Sequence, residues 1–322
     1  MEPGAATLRC VTAQPDRPAP DRPAADARTA KARTANARTV VVRTADGRTL
    51  AVEDAGAPGA DAGAHSTPPA FTLIWHNGSP HTGRLLGPVA ALARARDIRL
   101  VTYARPRYGG SSPFPNRDVA SAAADVAAIA DALGIGRFAG MGYSGGGPHA
   151  LAAAAVLQDR VLATVTLASP APYTDEFDWF EGMARPEALR SARQGREARA
   201  RFAETDDFDP NIFTEADWDA LRAEWSVIGD DAGAAGPAGT EGLIDDDVAF
   251  ASPWGCDPAR ISSPMLLIHG GADRVIPRSH GESLLRRTPT AELWLRPQDG
   301  HVSILRAVPV ALDWLVETIA RG

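Results

Sequence analysis

Phe138-Ala-Gly-Met-Gly-Tyr-Ser144-Gly-Gly-Gly-Pro-His-Ala-Leu151 is the stretch from which the rest of the chain is read. It predicts a short apolar strand, a glycine-dense corner centred on Ser144, and an alanine-rich helix running to about Gln158. Gly142-Tyr-Ser144-Gly-Gly146 fits G-x-S-x-G, the spacing of a nucleophile elbow. A serine at the apex of so sharp a strand-to-helix turn is held in strained backbone, with its Oγ clear of the sheet. Strand and helix then pass so closely that residues two before and two after the apex have no room for a Cβ, hence Gly142 and Gly146. The Gly145 amide falls at the N-terminus of the new helix, where an unpaired N–H and the helix dipole favour a developing oxyanion.

The motif alone decides little in a chain with 30 glycines. The same residues spell Gly140-x-Gly142-x-x-Gly145, a dinucleotide-binding pattern between a strand and a helix. That reading needs an acid after the next strand to hold the ribose. The next strand, Arg160 to Leu167, ends in Ala168-Ser169-Pro170 with no carboxylate, and Asp159 precedes it at the wrong end of the sheet. The serine reading therefore stands over the nucleotide one.

Upstream of the elbow, Thr39 to Thr44 and Arg48 to Glu53 flank Ala45-Asp46-Gly47, a turn signal for a β-hairpin. A loop over Gly56 to Pro69 leads to a buried strand at Phe71 to Trp75, a helix at about Arg84 to Ala95, a strand at Ile98 to Tyr103 and an amphipathic helix at Arg117 to Leu133. This alternation predicts an α/β fold, a mostly parallel sheet flanked by helices. It stops at Pro170. From there to Ser263 the sequence holds helix-like segments at Pro186 to Ala203 and Glu215 to Trp225, with a glycine-rich link over Gly229 to Gly242. The sheet resumes at Pro264 to His269, followed by a helix at Arg278 to Arg287, a strand at Ala291 to Leu295 and a helix at Val302 to Ala320. The expected organisation is a low-complexity, disordered tail over 1–38, a core over 39–170 and 264–322, and a helical lid over 171–263. In the tail region an Arg-Thr pair recurs every five residues, matching neither the helix nor the strand period.

In a parallel sheet, reactive groups gather at the C-terminal ends of the strands. Trp75-His-Asn77-Gly-Ser79 follows the first buried strand, and its Ser79 amide is the candidate for a second oxyanion donor. Asp273 lies on the short loop after His269, and His301 lies between the last strand and the last helix. Ser144, Asp273, His301 in that order, each just after a strand, is one succession in which a serine, a carboxylate and an imidazole form a nucleophilic triad.

With these residues in view, residues 39–322 resemble the α/β-hydrolase superfamily, and within it the lidded serine hydrolases related to esterases and proline iminopeptidase-like enzymes. The resemblance implies an eight-stranded sheet with an antiparallel strand near its start and a helical lid after the sixth strand. Arg105-Pro-Arg-Tyr-Gly-Gly-Ser111 is similar to the family's Asp-Arg-Pro-Gly-Tyr-Gly-x-Ser loop, with Ala104 where Asp is common and Arg107 where Gly is common. Asn77 stands where the family usually has His or Gly. The implied activity is cleavage of an ester, thioester, lactone or amide of a small hydrophobic substrate. C–C bond cleavage, aminopeptidase activity, or a scaffold that does not hydrolyse (a cyclase or ligand-binding module) are the alternatives, since fold does not fix function.

Composition narrows the partners. The chain has 322 residues, 44% of them hydrophobic, and a formal net charge of −7 without a basic stripe, which argues against nucleic acid. No apolar run is long enough to span a membrane and no h-region marks a signal peptide. Two cysteines, Cys10 and Cys256, suit a reducing cytoplasm rather than a disulfide framework. No spacing suggests a metal or cofactor site, so a small-molecule substrate is the expected partner, and a homo-oligomer is left open. Asn77, His81, Tyr143 and the aromatics Trp179, Phe180, Trp218 and Trp254 are the candidates to line the substrate pocket. His76 and His269 are expected on the same rim, while Asp245-Asp246-Asp247 reads as a solvated run.

Overall fold

Continuous apolar runs build the centre of the sheet, and alternating ones its edge. In chain order the strands are β1 Thr7–Cys10, β2 Arg38–Arg43, β3 Thr49–Asp54, β4 Phe71–His76, β5 Ile98–Tyr103, β6 Phe138–Tyr143, β7 Val161–Leu167, β8 Met265–Gly270 and β9 Ala291–Arg296. The computed structural model describes residues 7–10, 37–56 and 69–322. Every residue of β4, β6 and β8 is buried, as strands covered on both faces require. In β3, by contrast, fully buried positions alternate with partly exposed ones. The spatial order is β1-β9-β8-β7-β6-β4-β5-β3-β2. β2 pairs antiparallel with β3, β3 pairs antiparallel with β5, and all other pairs are parallel.

The eight strands from β2 onward form the α/β-hydrolase sheet, and β1 adds a ninth at the edge. Thr7–Cys10 thus depart from the disordered tail expected over 1–38: they run parallel to Glu292 to Leu295 of β9. The physical reason is that an open sheet edge is completed by backbone hydrogen bonds, which leave no mark in composition. Residues 1–6 and 11–36 of that expected tail, and 57–68 of the expected loop, lie outside the described residues.

Core helices α1 Gly87–Arg94, α2 Ser121–Ala132, α3 Gly147–Val156, α9 Arg278–Arg287 and α10 Val308–Arg321 cover the sheet, and two separate apolar clusters fill the space on its two faces. Between β7 and β8 the chain is helical: α4 Glu187–Ala192, α5 Arg196–Ala203, α6 Glu215–Arg222, α7 Ser226–Ala234 and α8 Gly236–Phe250. The glycine-rich segment 229–242 is therefore helix rather than link. Gly242 is there for contact: a Cβ on it would enter the Tyr108 ring, so only a bare backbone lets α8 lie on the core there, whereas Gly236, at φ 56°, uses glycine's freedom at the start of α8. Packing has overridden a propensity cost of about 1 kcal/mol per glycine.

Candidate active site

Ser144 sits between β6 and α3 with φ 50°, the left-handed region that a side chain disfavours. A Cβ on Gly142 would run into the Gly146 carbonyl, and one on Gly146 into the His76 carbonyl, so the two glycines are demanded by the crossing of strand and helix. The turn thereby holds Oγ above the strand ends. There the chain brings together three side chains remote in sequence. Ser144 Oγ donates to His301 Nε2 at 2.9 Å, and His301 Nδ1 donates to Asp273 Oδ2 at 2.9 Å. The other carboxylate oxygen of Asp273 accepts from the Val275 and Ile276 amides, each at 2.9 Å, which fixes the plane of the group. Burial opposes a charge on His301, but the charge and hydrogen bond of Asp273 outweigh it, so its pKa is raised. Asp217 adds to that rise.

Asp217 has no counterpart in the sequence reading. It lies on α6, outside the sheet, and Thr214-x-x-Asp217 forms a capping box that starts that helix. Its Oδ1 also accepts from the Val302 and Ser303 amides at 2.8 and 2.7 Å, the two residues directly after His301. Gly300 makes room for this, because a Cβ there would collide with the Asp217 carboxylate. The capping box is legible in sequence. Its second use, on the histidine loop, is not.

Ser79 and Gly145 adjoin Ser144. A Cβ on Gly145 would strike Ser79 Oγ, and the Gly145 amide belongs to the first turn of a helix, whose amides have no intrahelical acceptor. Among the described residues the Ser79 amide also donates no hydrogen bond. The Ser79 hydroxyl is taken up elsewhere: it donates to Asp246 Oδ2 at 2.5 Å and accepts from Arg105 Nη2 at 2.7 Å. Arg105 further donates to the carbonyls of Asn77 at 2.5 Å and Gly78 at 3.2 Å. Those carbonyls are thus held on the guanidinium side of the loop.

Asp246, on α8, is fully buried and accepts from Arg105, Arg117, Tyr108 and Ser79. Burial alone would raise its pKa, yet Arg105 and Arg117 carry it well below the ordinary carboxylate value of 3.8. The aspartate run is therefore not solvated. Asp245 pairs with Arg107 and Arg196, Asp246 with Arg105 and Arg117, and Asp247 with Arg199. Arg107 keeps φ 79° where glycine would be unstrained, and its side chain is spent on α8.

A cavity of about 400 Å³ opens onto Ser144, Gly145 and Ser79, with Pro170, Phe250 and Ile276 among its apolar walls. None of the seven residues expected to line it does so. Asn77 is consumed by the Trp75 indole, which donates to its Oδ1 at 2.7 Å, and by its own donation to Thr102 and the Arg84 carbonyl. His81 stacks on Tyr108, and the Tyr143 ring lies against His301 and Gly78 from within the core. Trp179 and Phe180 pack on each other in a satellite cluster, Trp218 packs on Phe208 and Phe213, and Trp254 fills the main core. Large rings minimise exposed area by joining clusters, and that took them away from the cavity. His76 is buried against Tyr103, with burial pushing its pKa to about 3, and His269 donates to the Ile276 carbonyl. Phe202, Phe208, Leu189 and Phe250 supply the apolar lining instead.

The model of the alpha/beta hydrolase family matches residues 72–313. The chain belongs to that family. Among similar solved structures, a thermophilic esterase from Thermogutta terrifontis has TM-score 0.63 at 22% identity, covering 87% of this chain and 99% of its own. An enol-lactonase from Burkholderia xenovorans has TM-score 0.64 at 18% identity, covering 87% and 100%. A bromoperoxidase from Bacillus anthracis has TM-score 0.67 at 21% identity, with the same coverage. At such identities they share the fold. A curated relative from Synechocystis sp., named with the non-heme chloroperoxidases, is 27% identical over 224 residues, 67% of this chain and 76% of the relative. Among the described residues of this alpha/beta hydrolase, no helix is long and apolar enough to cross a membrane, and no three His, Cys, Asp or Glu side chains are grouped to hold a metal ion. Cys256 is a free thiol whose pKa burial pushes up to about 11.

Proposed function

We propose that this hydrolase cleaves a carboxylic ester or lactone of a small, largely hydrophobic substrate through an acyl-enzyme on Ser144. The observation that carries the reading is the continuous relay from Ser144 Oγ to His301 to Asp273, with both links at 2.9 Å. His301 takes the Ser144 proton as Oγ bonds to the carbonyl carbon, and Asp273 holds the imidazole in the tautomer whose free Nε2 can do so. The Gly145 and Ser79 amides receive the oxyanion, worth about 2.7–4 kcal/mol for one well-aimed donor. His301 then gives its proton to the leaving oxygen as the old acyl bond breaks. Water, deprotonated by the same imidazole, attacks the acyl carbon, and Ser144 leaves as the restored hydroxyl. The apolar cavity walls and the esterase and lactonase relatives support the substrate class, with thioester and amide as less favoured acyl donors. The helices over 187–250 act as the lid. A small-molecule substrate is the proposed partner.

Labelling with a fluorophosphonate tests the nucleophile: Ser144 is expected to react, and His301→Ala to abolish the reaction. Ser144→Ala is expected to lower turnover of p-nitrophenyl esters at least about a thousandfold with its circular dichroism unchanged. Undiminished turnover in that variant would refute the reading.

A further inference from the structure

The cavity that opens onto Ser144 is not apolar throughout. One turn before Phe250, whose ring adjoins Gly145, α8 presents Asp247 to the same cavity, roughly 5 Å further along the helix axis. Facing it from α5 is Arg199, also a wall of the cavity and only 2% exposed. Arg199 Nε donates to Asp247 Oδ2 at 2.7 Å, while Nη2 stands 4.0 Å from Asp206, beyond hydrogen-bond reach. Its Nη1 is buried with no partner among the described residues, and Asp247 Oδ1 likewise accepts nothing among them. A buried guanidinium N–H left unmatched costs about 1–3 kcal/mol or more, so such a group signals an acceptor supplied from outside the chain.

We infer that Arg199 and Asp247 form a polar subsite that binds a neutral hydroxyl carried by the substrate, a few bonds from the scissile carbonyl. The pairing itself selects the chemistry. A hydroxyl is both acceptor and donor, so it can answer the unmatched N–H of Arg199 or the free Oδ1 of Asp247 without bringing a charge to either. A carboxylate would face Asp247, whose own ionisation burial already opposes, pushing its pKa to about 6. An ammonium would face Arg199. The subsite rests on the acyl-enzyme reading for its role in catalysis, where it makes hydroxyacyl esters and hydroxylated lactones the preferred substrates.

Two measurements separate the subsite from that reading. The first is the ratio of kcat/KM for ω-hydroxyacyl and unsubstituted acyl p-nitrophenyl esters of graded chain length. At the best-fitting length the hydroxyl is expected to raise kcat/KM about tenfold to a hundredfold. That ratio falls to about one in Arg199→Met and in Arg199→Met/Asp247→Leu. The double variant removes both buried charges together and so avoids stranding either one. The second needs no turnover: calorimetric binding of the ω-hydroxyamide and the plain amide of that length to Ser144→Ala protein. Tighter binding of the hydroxyamide by the same factor, lost when Arg199→Met is added, supports the subsite even if Ser144 proves not to be a nucleophile. Equal binding of the two amides, or a preference that survives the double variant, overturns it. In that case Nη1 is satisfied by water alone.

Discussion

Ser144 combines a proposed nucleophilic role with an unfavourable backbone, and the two can be measured apart. At φ 50° a side chain costs about 1–2 kcal/mol, which glycine does not incur. Ser144→Gly is therefore expected to be more stable than Ser144→Ala by about 1 kcal/mol in urea melts, and both to be inactive. Equal stability would mean that the elbow stores no strain. His301 offers a test in pH. Its pKa is raised chiefly against burial by Asp273, and only the neutral imidazole can take the serine proton. The acid limb of kcat/KM is then expected above the ordinary histidine value of 6.5, with activity falling as pH drops through it. Asp273→Asn should move that limb downward and cut the plateau by about 10⁴; a limb left in place would show that another group titrates. Ser144, Asp273 and His301 were legible as candidates because each lies on the loop or turn after a strand, at the sheet edge where such groups gather. Asn77 was misread because its amide is committed to Trp75 and Thr102, contacts that no local pattern displays.

At the scale of elements, the helical insertion does more than cover the sheet. Through Asp217, α6 holds the two amides that follow His301, and through Asp246, α8 holds the Ser79 hydroxyl and Arg105. Asp217→Asn retains an acceptor but loses charge and fit. It should lower kcat about tenfold or more with KM little changed, and shift the acid limb downward, because Asp217 helps to raise the His301 pKa. A loss confined to KM would place Asp217 in binding instead. Asp246→Asn leaves Arg105 and Arg117 buried without their counter-charge and is expected to cost about 3–5 kcal/mol in chemical denaturation. The folded pKa of Asp246 is depressed, so its stabilisation is complete above the ordinary carboxylate value of 3.8 and is lost as pH falls below that through the folded value. Strand and helix positions in the core followed from period and turn signals. The glycine-bearing α7 and α8 did not, and for α8 the deciding feature is the close seat of Gly242 on Tyr108, a contact between residues far apart in sequence.

For the molecule as a whole, two consecutive aspartates on α8 tie insertion to core, Asp245 through Arg107 and Asp246 through Arg105 and Arg117, while Asp247 ties α8 to α5 within the insertion through Arg199. Insertion and core should then melt as one cooperative unit, so that tryptophan fluorescence, weighted toward Trp179, Trp218, Trp225 and Trp254, and far-ultraviolet dichroism give one midpoint. Two midpoints in the native chain would contradict that coupling. Local sequence sufficed to read the sheet, its mostly parallel order, and the three candidate groups of the relay, because strand periodicity and the crowding around Ser144 are constraints written in adjacent residues. The folded packing alone set which residues wall the cavity, the joining of Thr7–Cys10 to the sheet edge, and the burial of the aspartate run. Those outcomes depend on which distant surfaces meet, and a charge or ring is committed by the partner it finds rather than by its neighbours in the chain.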